Sequence, residues 1–167
     1  QAEDGDTAAT PGWFVVNLAE ALWMESEEGG HWTDFEPPDG FEHYGIGVHV
    51  LPPGKPNGKY HSENVQEDFL VLSGECILIV EDEERRLKAW DFFHCAPGTN
   101  HIIVGAGDEP CAILMAGLRG EGKKLHYPVS DVAGRYGAST SEETDSPPVA
   151  YSDWSRDFTP MRANWPL

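Results

Sequence analysis

The sequence predicts an all-β fold, a sandwich or barrel of short strands. Three observations carry that reading. Seven short β-rich segments lie between residues 44 and 117, at 44–51, 67–72, 75–81, 85–89, 91–95, 101–105 and 111–117. Turn signals separate them: Pro52-Pro53-Gly54, Asn57-Gly58, Ser73-Gly74, Asp82-Glu83, Pro97-Gly98 and Gly107-Asp108. No helical period intervenes, so the strands must pair with one another directly.

The elements follow in chain order. Residues 1–12 are small, acidic and polar, and are expected to be loose. An apolar run at 13–17 predicts a strand, and 18–24 predicts one or two helical turns. The Gly-, Pro- and acid-rich stretch 25–43 reads as irregular cover with a strand near 32–35. Residues 1–43 thus form an N-terminal extension with one or two strands, and 44–117 form the strand-rich core. Residues 118–167 make a C-terminal extension, with a short helix near 129–136 and a flexible linker at 139–148. Its tail carries Tyr151, Trp154, Phe158 and Trp165, too much apolar surface to leave in water, so it is expected to pack on the core or on a partner subunit.

Composition narrows the function. The 167 residues hold 29 Asp+Glu against 11 Lys+Arg, a formal net charge of -18. Such a surface repels phosphate backbones and anionic headgroups, so neither nucleic acid nor a membrane is an expected partner. Only five lysines occur, a balance that suits high salt. Cys76, Cys95 and Cys111 are an odd count without pairing motifs, and no apolar signal segment is visible. Both point to a reducing cytoplasm. Serine-nucleophile, Cys–His, Walker and dinucleotide motifs are all missing.

The chemistry concentrates in two stretches. In the first, His61, Glu63 and Glu67 are separated by even numbers of residues. On one strand, or two collinear ones, they share a face. Two carboxylates and an imidazole on an interior face need a neutraliser, and a divalent metal is the economical one. In the second, WDFFHCAPGTNHIIVG, His101 follows a Pro-Gly turn and opens an apolar strand. His61, Glu63, Glu67 and His101 together are a mixed N/O set suited to Fe, Mn, Zn or Ni, with open positions left for water or substrate. Of the remaining histidines, His49 could face the cavity or sit at a bulge, while His31, His43 and His126 are expected at the surface. Cys95 reads as a structural thiol, Cys76 and Cys111 as small core residues, and Tyr60 should point away from the site.

Both stretches resemble the two motifs of the cupin superfamily. His61, Glu63, Glu67 and Gly74 match the first in spacing, with Glu63 where the family has a second His. The expected preceding Gly falls on Lys55, one residue after Gly54. In the second, Trp90 stands for Gly, Ala96 for Pro with Pro97 next, and Gly105 for Asn, while Gly98 and His101 match. The resemblance implies a double-stranded β-helix, or jelly-roll, barrel with irregular extensions. It also implies a divalent metal held by His61, Glu63, Glu67 and His101, a small-molecule ligand in the barrel mouth, and a homodimer. The wording further resembles single-domain bacterial and archaeal cupins.

Two classes of function follow. One is a metal-dependent enzyme, a dioxygenase or a sugar-type isomerase or epimerase on a small oxygenated substrate, with Glu63 as base wherever it is not a ligand. The other is a non-catalytic module that binds a small ligand or metal.

Overall fold

A computed structural model describes residues 13–37, 40–155 and 157–163. The expectations for residues 1–12 and for Trp165 lie outside the described residues. Twelve strands appear in chain order: β1 (Leu22–Ser26), β2 (Gly30–Asp34), β3 (Tyr44–Leu51), β4 (Ser62–Glu63), β5 (Glu67–Ser73), β6 (Glu75–Val80), β7 (Glu83–Lys88), β8 (Phe92–Cys95), β9 (His101–Ala106), β10 (Cys111–Leu118), β11 (Leu125–His126) and β12 (Thr159–Arg162). Two single-turn helices follow β11, namely α1 (Asp131–Gly134) and α2 (Pro147–Ala150). No helix among the described residues is long and apolar enough to cross a membrane.

The strands pair antiparallel in a seven-stranded sheet of order β12-β1-β2-β3-β10-β5-β8 and a three-stranded sheet of order β7-β6-β9, with β4 and β11 as a short pair beside them. The two larger sheets face each other as a jelly roll and do not close into a continuous barrel. Alternation along each strand decides what lies between them. Phe69 and Val71 on β5, Cys111 and Ile113 on β10, and Leu51 on β3 meet Cys76 and Leu78 on β6 and Ile103 on β9 in one buried cluster. The opposite faces are also covered. Tyr60, Ile79, Ile102 and Val104 pack under Ala133 and Ala138, and Trp23 packs with Val48, Val50 and Ala112 beneath Met161. Tyr60 thus points away from the interior, as expected.

The turns show why these strands end where they do. β6 and β7 are joined by Glu81-Asp82 alone, both with positive φ, +48° and +60°. This is the mirror-image turn that matches strand twist. Tyr60 Oη accepts from the Asp82 amide at 3.0 Å, and Ser130 Oγ donates to Asp82 Oδ1 at 2.5 Å. Gly74 sits between β5 and β6 with φ +73°, and a Cβ there would lie 2.6 Å from the Pro110 carbonyl, so only glycine fits.

Outside the core, three expectations change. Residues 13–17 form no strand, and Trp13 and Val15 are largely exposed. The predicted helical turns at 18–24 give way to β1, because the fully buried Trp23 packs on a sheet face between β2 and β12. The expected linker at 139–148 is tied down instead. Thr144 pairs with Tyr127, Thr140 is buried, and α2 starts within it. The tail returns to its own chain, where β12 pairs with β1 and Phe158 meets the edge of Trp32.

Candidate metal centre

His61 and His101 form an antiparallel bridge, each amide donating to the other's carbonyl at 3.1 Å and 2.8 Å. Directly opposed residues put their side chains on the same side. The ring centroids are accordingly 5.0 Å apart. Glu67 opens β5 with Phe69 and Val71 on its inward face, and so enters the same space. Its Oε2 lies 3.4 Å from His101 Nε2 and 3.9 Å from His61 Nε2. The three ligand atoms all fall within 4.8 Å of one another.

The ring orientations are fixed from behind. His61 Nδ1 lies 2.7 Å from the Lys59 carbonyl, and His101 Nδ1 lies 3.2 Å from the Thr99 carbonyl and 3.2 Å from Cys95 Sγ. A carbonyl only accepts, so in both rings Nδ1 carries the proton and Nε2 presents its lone pair inward. Glu67 Oε2 is buried and accepts no hydrogen bond. Lone pairs of two imidazoles and one carboxylate therefore converge with no donor between them.

The electrostatics agree. Burial pushes Glu67 up to about 7, and the neighbouring Glu63 charge adds to the rise. Burial pushes His101 down to about 4, helped by His61, and lowers His61 too. Burial thus disfavours every charged form in the cluster. Two neutral imidazoles and a carboxylate are the donor set of a divalent ion, and the residues present fit one.

Glu63 stands beside this trio rather than within it. Its Oε1 is 3.8 Å from His61 Nε2, and its Oε2 is 2.6 Å from Lys123 Nζ. Even spacing from His61, which directly precedes β4, brings the buried Glu63 to the site, where Lys123 pairs with it.

Several contributors were not legible in the sequence. Lys123 comes from the glycine-rich segment after β10, where the only signal was a pair of lysines in a lysine-poor chain. Tyr127 is buried with its ring 5.7 Å from that of His61. Lys59 is fully buried, and its Nζ donates to the carbonyls of Gly137 and Ser139 and to Asp153 Oδ2 at 3.1, 3.0 and 2.8 Å. It thereby ties the C-terminal segment to the residue whose own carbonyl orients His61. Cys95, expected to be purely structural, touches the back of His101. His43 is exposed as expected, His126 is half-buried, and the His31 side chain is only 17% exposed. His49 faces the interior, opposite Ile113 on β10.

Comparison with known proteins supplies context for this geometry. Residues 47–117 match the family described as Cupin domain. A provisionally named sugar phosphate isomerase from Acidithiobacillus ferrooxidans is 28% identical, with a TM-score of 0.53 over 60% of this chain and 67% of that one. A sugar phosphate isomerase from Silicibacter pomeroyi is 24% identical, with a TM-score of 0.51 over 60% of this chain and 66% of that one. The polyketide cyclase RemF from Streptomyces resistomycificus is 16% identical, with a TM-score of 0.56 over 64% of this chain and 79% of that one. The last two likenesses speak for the fold alone. The match spans about two thirds of each isomerase. No curated protein matches the sequence.

Proposed function

The chain belongs to the cupin superfamily, and on that premise we propose that it is a metal-dependent enzyme of the proton-transfer kind, an isomerase or epimerase of a small oxygenated compound. One observation carries this reading. Glu63 is held by Lys123 at 2.6 Å, outside the ligand trio but 3.8 Å from His61 Nε2. A carboxylate in that position is available as a base. His61, Glu67 and His101 would hold a divalent ion, Fe, Mn, Zn or Ni, which supplies Lewis-acid polarisation of a substrate oxygen. Glu63 would take the proton from the carbon beside a substrate carbonyl and deliver it to the carbonyl carbon while the hydroxyl proton passes between the two oxygens (isomerisation), or return it to the opposite face of the same carbon (epimerisation), so no proton is gained or lost overall. Lys123 balances the Glu63 charge before the transfer. Tyr127 packs on His61 and keeps its ring in place.

The test uses protein purified without added metal. Elemental analysis is expected to find one transition-metal ion per chain, lost in His101→Ala. Glu63→Gln is expected to keep the metal and to stop solvent deuterium exchange into hydroxycarbonyl compounds, read by NMR. Loss of metal in Glu63→Gln would instead make Glu63 a fourth ligand. A wild-type chain free of metal would favour the non-catalytic module.

The trio itself favours a second reading. Two histidines and one carboxylate are also the donor set of non-haem iron oxygenases. Oxygen uptake that depends on iron and survives Glu63→Gln would select it. The homodimer belongs to the proposal too. Exposed Trp90 and Phe92 beside the edge strand β8 are apolar surface open to a second copy, and a monomer in light scattering removes that part.

A further inference from the structure

Beside the trio lies a cavity of about 440 Å³ with a different chemistry. Trp32, His49, Tyr151, Trp154 and Phe158 form its walls, with Asn57 at one side. None of its described lining residues carries a formal charge, in a chain with 40 charged residues, 29 acidic and 11 basic. The rings are already set edge to face. Trp32 and Phe158 lie 5.2 Å apart at 89°, and Tyr151 and Trp154 lie 5.2 Å apart at 86°. Two rings stand between the cavity and the site: Tyr151 meets the edge of Tyr127 at 6.0 Å, and Tyr127 lies tilted against His61 at 5.7 Å.

His49 supplies the polar element. It pairs in register with Ile113 on β10 and Trp32 on β2, so it shares their inward face. Its Nδ1 is buried without a hydrogen-bond partner. Burial pushes the ring down to about 4, so it is neutral at pH 7.

We propose that this cavity binds an uncharged aromatic compound bearing a hydroxyl or carbonyl oxygen. Flat rings fill the space between two edge-to-face aromatic pairs, where each contact adds to the area buried. A phosphate or carboxylate would enter a cavity with no cation in its described walls, at the full cost of lost hydration. The volume suits a ligand of one to three rings. As a statement about the substrate this rests on the metal-enzyme reading; as a statement about binding it stands alone. It points away from a sugar phosphate, for whose charge the described walls offer no cation.

The experiment measures binding of naphthol and of naphthyl phosphate at pH 7, by calorimetry and by quenching of tryptophan emission. Naphthol is expected to bind in the micromolar range, with naphthyl phosphate weaker by about tenfold or more. Phe158→Glu changes a side chain that is 54% exposed, so the fold should persist. It is expected to weaken naphthol about tenfold with an unchanged melting curve. His101→Ala is expected to lose metal and keep naphthol, so failure of the metal reading leaves this result intact. Absence of naphthol binding, equal affinity for the phosphate, or wild-type affinity in Phe158→Glu overturns the proposal.

Discussion

Glu67 shows how one residue couples the site to pH. Its folded value near 7 lies above the ordinary 4.5, chiefly through burial. The metal-free fold is therefore at no disadvantage from Glu67 below pH 4.5. It bears a growing cost as the carboxyl ionises towards pH 7, on the order of 3 kcal/mol as an upper bound. A bound cation removes that cost. Between about pH 5 and 7 its binding also displaces a proton from Glu67, so affinity falls as the pH drops through that window. The two histidines act in the same sense, since His101 at about 4 and the lowered His61 begin to take protons only in acid. The melting-temperature gain on adding Zn or Mn should therefore grow from pH 5 to pH 7.5. Glu67→Gln should flatten that growth and weaken metal binding by tenfold or more. A pH-independent gain in the wild type would remove Glu67 from the ligand set. His61, Glu67 and His101 were legible because strand parity and a local motif govern them. Lys59, Lys123 and Tyr127 were not, because their partners lie up to about a hundred residues away and no local period marks them.

The elements of the core could be read almost strand for strand, since alternation and turn residues are local signals. The ends could not. An apolar run at 13–17 has no strand to pair with, whereas Trp23 needs a sheet to be buried on, and nothing in residues 18–24 states that sheet's existence. The motif departures are more instructive. Where the family pattern has Gly, this chain has Trp90, with φ +75° in the turn between β7 and β8. A positive φ is a conformation that favours glycine, and here a tryptophan adopts it. At the other departure the positive φ falls on Gly54, at +80°, one residue before Lys55. A left-handed non-glycine residue costs about 1–2 kcal/mol. Within its own chain Trp90 is 77% exposed and buries little in return. Trp90→Gly should therefore stabilise the fold by about 0.5–1 kcal/mol, after the extra freedom of glycine in the unfolded chain is deducted. Thermal melts should rise by about 1–3 °C with metal content unchanged. A lower melting temperature would mean that Trp90 is held by contacts worth more than the strain.

For the whole molecule, the net charge of -18 is a cost spread over the surface as well as the site. At least six of the eleven basic residues are already engaged: Lys59, Arg85, Arg86, Arg119, Lys123 and Arg135 each lie in an ion pair with a carboxylate. Many of the remaining acids are neighbours in sequence, as at Glu81-Asp82, Asp108-Glu109 and Glu142-Glu143, all exposed. Like charges on a compact surface repel more than on an expanded chain, so the repulsion acts against folding. It is also screenable, because the Debye length shrinks from about 10 Å at 0.1 M salt to about 3 Å at 1 M. The cavity and the core, which carry no such charge, should not respond in this range. Raising NaCl from about 0.05 M to 1 M should therefore lift the melting temperature by several degrees, with naphthol affinity changing less than twofold. Screening also predicts that most of the gain arrives by about 0.5 M and that KCl does as well as NaCl. A flat or falling curve would show that the ion pairs, which the same salt weakens, outweigh the unpaired excess.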